Sequence, residues 1–454
     1  MPLVSEIHSV IIDKIPAMRV FSEESMAEAC RANDVSRPGV AAIMDCSSIA
    51  AYLEKQYGVP VIHMELGSPG FLPNRIGVEA EKAALDAGEG ARYSPSDGLP
   101  VLKKASSRFF KAFLNLDIEP KYHIPTTGSM FGAFGAFIAA AQCVPGRRKI
   151  LVLEPSFAAN KDQMAILDIP WKGVEIAELR GPRFRELLLE AMSDDDYAAI
   201  IYSNPNNPSW MCISEEELQV IAHVADETGA IVIEDLAYFC MDMRGVGYGT
   251  PYKAPYPPTV ARYTDRFMML LSGSKIFSYA GQRIGILCVG PSLYGEVYPA
   301  FARRYGGSGE FGHTLTLNIL DKITSGCTAS TQWGLAAMME SSCDGRLDFV
   351  KDISAYGERA ARMKSIFLRN GFNISYESDS IGIIGDGFFF TLSYPGMDSA
   401  TLVDELLAYG VSTVSLEKMG SNRPGVRVCS SRIREDQFEL LEQRMASFAA
   451  DHRL

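Results

Sequence analysis

Residues 270–285 read Leu-Leu-Ser-Gly-Ser-Lys-Ile-Phe-Ser-Tyr-Ala-Gly-Gln-Arg-Ile-Gly. An apolar run at 267–271 has the pattern of a buried strand and ends in small polar residues around Lys275. Arg283 follows, and a second apolar run covers 284–289. A lysine in such surroundings loses solvation, which disfavours its ammonium form and lowers its pKa. Attack on a carbonyl needs that free amine. Ser272 and Arg283 add a hydroxyl and a planar cation, suited to an anion such as a phosphate ester. The stretch therefore points to a lysine that forms a Schiff base with a phosphorylated aldehyde. Two other readings compete. The lysine stem can pack at a strand end while its head reaches water. Ser272 can also head a Ser-x-x-Lys acyl-enzyme site, but that class expects Ser-Asp-Asn and Lys-Thr-Gly elsewhere, and neither tripeptide occurs.

Outward from this stretch, residues 121–289 alternate regularly between strand and helix patterns. Strand-like runs fall at 122–125, 149–153, 198–202, 230–233, 267–271 and 284–289. Helical stretches at 130–142, 182–192 and 214–228 fill intervals between them, the last opened by a capping box of Ser214 and Glu217. Such alternation implies an α/β fold, a mostly parallel central sheet flanked by helices. Ligands of these sheets bind at the carboxyl ends of the strands. Asn204, Asn207, Asp235 and Lys275 each follow or end a strand-like run, so they share one sheet edge.

Before this region, 47–57, 78–85 and 99–113 read as helices, and 61–66 as a strand entering the turn at Gly67. After it, 303–330 looks irregular, and 243–265 is a long loop rich in Gly, Pro and Tyr. Residues 333–368 read as one or two long helices. They lead to an α+β unit with strands at 388–392, 411–414 and 426–429 and helices at 399–408 and 434–449. The expected division is an N-terminal arm with part of a small domain at 1–68, a large domain at 69–335 and a small C-terminal domain at 336–454.

A chain of 454 residues can bury a large core. Its net charge of −12 argues against nucleic acid or an anionic membrane as partner through the overall field, so local cations must hold any anionic ligand. Nine scattered cysteines without a C-x-x-C pair read as reduced thiols in a cytoplasm. Charged residues interrupt 1–20, leaving no apolar core of signal-peptide length, and the apolar run at 130–144 is too short to span a bilayer.

Three further motifs carry chemistry. Gly128-Ser129-Met130 stands between a strand and an apolar helix, where free backbone N–H groups favour a phosphate, although an ordinary serine cap reads the same way. Ile233-Glu234-Asp235-Leu236-Ala237-Tyr238 ends a strand in carboxylates, one of which can hold a heterocyclic N–H, although alone the motif reads equally as a helix cap or a metal ligand. Asn204-Pro205-Asn206-Asn207-Pro208 is a rigid turn presenting amides. Dinucleotide, Walker A, serine-hydrolase and zinc-protease signatures are missing from the sequence, and its histidines are dispersed, so no metal site is expected.

Taken in order, Tyr93…Gly98, Thr127-Gly128-Ser129, Pro155-Ser156-Phe157, Asn207-Pro208, Asp235-x-x-Tyr238, Ser272-x-x-Lys275, Arg283 and Arg427 resemble the class I/II aminotransferases. These are fold-type I enzymes that use pyridoxal 5′-phosphate (PLP). The resemblance implies that Lys275 is the Schiff-base lysine and proton shuttle, and that Asp235 pairs with the pyridine nitrogen. It implies that Asn207 and Tyr238 hydrogen-bond the ring oxygen O3′ and that Phe157 stacks on the ring. Gly128, Ser129, Ser272 and Arg283 would hold the phosphate, with Met130 beside them. Tyr93 would reach it from the other subunit of a homodimer with shared active sites. Arg427 would grip the substrate α-carboxylate, and the Gly67 backbone would approach it.

Ser209-Trp210 departs from the Thr-Gly usual after Asn-Pro, and the N-terminal arm is longer than the family pattern. The implied reaction is ping-pong transfer of an amino group from an α-amino acid to a 2-oxo acid in the cytoplasm. A β-lyase or decarboxylase of the same fold is the alternative, because PLP labilises any of three bonds at Cα. A non-catalytic PLP-binding sensor would need a basic DNA-binding arm, and the first 60 residues are not basic.

Overall fold

The computed structural model describes residues 19–194 and 196–452, so 1–18 of the expected arm lie outside the described residues. The strands up to the second apolar run are β1 (Ile62–His63), β2 (His123–Thr126), β3 (Lys149–Glu154), β4 (Trp171–Glu175), β5 (Tyr197–Ser203), β6 (Ile231–Leu236), β7 (Phe267–Ser272) and β8 (Gly285–Val289). Seven of them form one sheet in the order β2-β8-β7-β6-β5-β3-β4. Strand β8 runs antiparallel to both neighbours, and the other pairs are parallel. Strands β5, β7 and β8 are buried along their whole length, as uninterrupted apolar runs require when helices cover both faces.

One face packs on the helix Gly128–Cys143, whose small residues let it lie close to the strands. At Gly132 a β-carbon would stand 2.7 Å from Leu270 Cδ2, so the approach needs glycine. The helix Glu215–Thr228 carries the expected capping box between Ser214 and Glu217 and ends at Gly229 with φ of 70°. Strand β4 was not anticipated, because its Trp-Lys-Gly-Val-Glu sequence is an edge with an exposed start.

Residues 303–330 are not irregular. Pro299–Tyr305 is helical, and Phe311–His313, the π-helical Thr314–Leu320 and Asp321–Thr324 form a continuous helical run. β-Branched threonines weaken the local signal, and burial of Leu315, Ile319 and Leu320 in the core beside the helix Gly128–Cys143 supplies the stability instead. The helix Glu23–Ala32, capped by Ser22 and opened by Glu23 and Glu24, is a further element beyond the sequence expectation.

The C-terminal strands are β9 (Asn373–Ile374), β10 (Ser378–Asp379), β11 (Gly382–Ile383), β12 (Phe389–Ser393), β13 (Val411–Ser412), β14 (Val414–Ser415) and β15 (Val426–Cys429). An antiparallel sheet of order β14-β15-β12-β9 pairs Thr391 with Arg427 and Phe389 with Cys429. The expected strand at 411–414 is thus split: β13 pairs with β1, and β14 with β15. The expected strand at 61–66 shortens to β1, because Met64 turns its carbonyl to the Cys429 amide (2.9 Å). Residues 20–63 pack on this C-terminal unit: Val20 and Phe21 donate to Ala408 O (2.8 and 3.0 Å), and Gly39 donates to Asp404 Oδ1 (2.7 Å).

Candidate active site

The carboxyl ends of the parallel strands meet at one edge. Strand β2 leads to Gly128 at the start of its helix, β3 to Phe157, β5 to Asn207, and β6 carries Asp235 and leads to Tyr238. Strand β7 ends at Ser272, whose side chain accepts from Ser274 N (3.1 Å) and caps the short helix Gly273–Ile276 that bears Lys275. Arg283 stands just before β8 in the left-handed conformation (φ 49°). Strand β15 brings Arg427 from the other sheet.

A cavity of about 550 Å³ opens there, lined by Gly67, Ser129, Met130, Phe157, Asn207, Asp235, Tyr238, Ser272, Lys275, Arg283 and Arg427. Gly128 lies immediately behind, with φ of 73°, and a β-carbon on it would sit 2.5 Å from Arg283 Nη2. Gly128 begins the helix without a side-chain cap from Thr127, so its first N–H groups face the same place as the guanidinium. Tyr93 is 89% exposed and lies outside the cavity.

A closed set of contacts ties the polar residues together. Arg427 Nη1 donates to Asn207 Oδ1 (3.1 Å), and Nη2 donates to the Glu65 carbonyl. Asn207 Nδ2 donates to the Tyr238 hydroxyl (3.3 Å), and the guanidinium lies 4.4 Å over the Phe389 ring. Arg427 Nε is buried without a partner, a donor left over for a ligand. Lys275 Nζ donates to the Gly67 carbonyl and stands 5.5 Å from the centre of the Phe388 ring.

Burial sets the charges. It lowers Lys275 to about 8, with the cations Arg427 and Arg283 adding to the effect and Cys429 and Asp235 opposing it. Burial raises Asp235 to about 6, against the Ala237 N–H (3.0 Å) and the lysine charge. The same cause pushes Tyr238 up and Arg427 down from their ordinary ranges. Lys275 thus gives up its proton more readily than an ordinary lysine, and Asp235, lining the same cavity, holds one more readily than an ordinary carboxyl, shifts of the kind that mark functional sites.

Sequence reasoning missed part of the wall. Ala41 to Met44, Asp162, Phe389, Val414, Lys418 and Met419 also line the cavity. No periodicity or motif marks them: Asp162 sits on the helix Ala158–Ile166 that follows Phe157, and the others meet the site only through packing of the chain's two ends. Among the described residues no group of three or more His, Cys, Asp or Glu could hold a metal ion, and no helix is long and apolar enough to cross a membrane.

The sequence model of the aminotransferase class I and II family matches residues 61–438. The chain belongs to that family. The family's enzymes use PLP. An asparagine–oxo-acid transaminase of Streptococcus mutans is 25% identical to this aminotransferase-family chain over 252 residues, 55% of this chain and 62% of the relative. An aspartate aminotransferase of Pyrococcus horikoshii is 26% identical over 255 residues, 55% and 61% of the two chains. The chain thus matches about three fifths of the length of these relatives. Aspartate aminotransferase from Thermus thermophilus with maleate superimposes with a TM-score of 0.71 at 19% identity, covering 95% of this chain and 100% of that one. An aminotransferase from Mycobacterium tuberculosis gives 0.72 at 19% identity, covering 92% and 98%. These two likenesses establish the fold.

Proposed function

We propose that the protein is a PLP-dependent aminotransferase that moves an amino group from an α-amino acid to a 2-oxo acid. The observation that carries this reading is the convergence of a buried Lys275 of lowered pKa, Asp235 and Arg427 on one cavity. The residues fit the cofactor. Gly128, Ser129, Ser272 and Arg283 form a cradle that a β-carbon at Gly128 would fill, suited to a phosphate dianion. Asp235 would hold the protonated ring nitrogen, Asn207 and Tyr238 the ring oxygen, and Phe157 one ring face, with Met130 completing the wall.

Bound PLP supplies an aldehyde that condenses with amines and a ring that draws electrons from the substrate's Cα–H bond. The protein's own groups do the rest. Arg427 grips the α-carboxylate with its fork, and Gly67 lies against it, which fixes which bond at Cα faces the ring. Lys275 Nζ, as a free amine, takes the proton from Cα and redelivers it. The ring of Phe388, its centre 5.5 Å from Lys275 Nζ, shields the amine from water. The overall exchange balances as one amino acid and one 2-oxo acid converted into the other pair.

The assembly proposed with this reading is a homodimer in which Tyr93 of one subunit completes the phosphate site of the next. Its 89% exposure here fits a contact that a single chain leaves open. The divisions at residues 68 and 335 and a cytoplasmic setting, with nine free cysteines, belong to the same proposal.

An amino-acid panel incubated with and without 2-oxoglutarate tests it. The expected result is 2-oxo acid formed only with the acceptor, at a rate about 10²–10⁴-fold lower in Lys275→Ala. Ammonia and pyruvate released without acceptor would mean a β-lyase, and carbon dioxide release a decarboxylase. Either would refute transfer.

A further inference from the structure

Trp210 occupies a position that favours glycine. Its φ is 64°, in the left-handed region where a β-carbon is strained. The backbone there is fixed by its surroundings: Trp210 N donates to Asn206 O (2.9 Å), Asn206 N donates to Met211 O (2.9 Å), and Ser209 Oγ donates to Asn206 Oδ1 (2.6 Å). In the family pattern that the sequence resembles, Asn-Pro is followed by Thr-Gly, so Trp210 stands where that pattern has glycine. Despite the strain, the chain keeps the largest side chain here, buries it to 1% exposure and leaves its Nε1 without an acceptor. Costs of this kind persist only where the surrounding structure enforces them, and they mark sites with a task.

The indole meets Tyr238 edge-on at 5.4 Å and Phe389 edge-on at 6.0 Å, and those two rings meet each other at 5.4 Å. Phe389 in turn lies under the Arg427 guanidinium, and Tyr238 is joined to Arg427 through Asn207. Trp210 therefore closes a circuit: Trp210, Tyr238, Asn207, Arg427, Phe389 and back to Trp210. The circuit joins the loop after β5 to strand β12 of the other sheet. Gly387, just before β12, admits the indole only because it has no β-carbon, which would overlap Trp210 Cε2.

We infer that Trp210 is a positioning residue that sets the poise of Arg427, and with it the affinity for the substrate carboxylate, by bracing Phe389 and Tyr238 from behind. This rests on the aminotransferase reading of the same site. A smaller side chain would leave Phe389 free to tilt and the guanidinium without its platform. Of the residues that would hold PLP, only Tyr238 touches the indole; Gly128, Ser129, Asp235, Ser272, Lys275 and Arg283 lie at the ends of β2, β6 and β7 and before β8, outside the circuit, so PLP affinity should change less than carboxylate affinity.

The test uses the full-length protein loaded with PLP, titrated calorimetrically with acetate, maleate and 3-phenylpropionate, carboxylates that lack an amino group. The tightest of them is carried forward to Trp210→Gly and Trp210→Phe, and PLP affinity is measured on the same proteins after removal of the cofactor. Expected is a loss of about tenfold or more in carboxylate affinity for Trp210→Gly, less than about threefold for Trp210→Phe, and PLP affinity within about threefold throughout. A merely structural tryptophan would lower the melting temperature and leave the carboxylate affinity as in the wild type, or weaken carboxylate and PLP together by the same factor. Either result overturns the inference, as does a wild type that binds none of the three acids. If Trp210→Gly does not fold, Gly387→Ala displaces the same ring and should show the same selective loss, and unchanged carboxylate affinity there overturns the inference equally. A wild type that does not bind PLP sinks the aminotransferase reading instead, whatever the variants do.

Discussion

Lys275 in the cofactor-free protein should react as an amine some two pH units earlier than an ordinary lysine. Its pKa is lowered from 10.5 to about 8 by burial, a drop worth about 3 kcal/mol at about 1.4 kcal/mol per unit. At pH 8 about half of the Lys275 population is then free amine, against roughly 0.3% for an unperturbed lysine. The sign follows from the depressed value: below about pH 8 the ammonium form dominates and is inert, and above it the amine is available. Reductive methylation with formaldehyde and cyanoborohydride, run from pH 6.5 to 10.5 and mapped by mass spectrometry, reads this residue by residue. The rate at Lys275 should follow a single titration centred near 8. Arg427→Gln should move that midpoint upward by removing a neighbouring cation, whereas Asp235→Asn should move it downward by removing an anion. A midpoint near 10, or a response to both variants in the same direction, would refute the electrostatic account.

Three other perturbations follow from the same geometry. Arg427→Lys keeps a charge but loses the fork and the seat on Phe389, so KM for the amino donor should rise roughly 10–100-fold with a smaller change in kcat, as steady-state kinetics would detect. Gly128→Ala places a β-carbon against Arg283 at a φ of 73°, so PLP affinity, followed by absorbance, should fall by about tenfold or more, while the carboxylate affinity stays near that of the wild type. Glu234 is buried and its pKa is raised to about 7, held by Thr259, Tyr202 and the Val260 amide. A carboxyl raised in the folded state favours folding below its unfolded pKa and loses that contribution as the pH climbs through 7. Relative to the wild type, Glu234→Gln should therefore gain about 3 kcal/mol in denaturant stability between pH 4 and pH 8; a pH-independent difference would show that burial does not raise Glu234 above its unfolded value.

The alternating sheet was legible because strands buried on both faces must be continuous apolar runs, as at β5, β7 and β8. The short edge β4 escaped for the converse reason: its exposed Trp171 and Lys172 need no pattern. The helical run at 311–324 escaped because its stability comes from contact with Gly128–Cys143, far away in the chain. Within the site, the strand-end residues were readable from their place after each strand. The wall formed by Ala41 to Met44 and by Lys418 was not, since it exists only when the two ends of the chain pack over the sheet edge.

What the amino-acid order determines by itself is local: where the strands lie, and that Lys275, Asp235 and Asn207 follow their carboxyl ends. Tertiary structure decided the quantities that chemistry needs. Desolvation brings the amine toward neutrality and the carboxylate upward, and it depends on everything packed around both groups. The strained Trp210 found its meaning only there as well. A side chain at a glycine position reads as an anomaly in sequence, and becomes a brace once Tyr238 and Phe389, brought from distant segments, close around it.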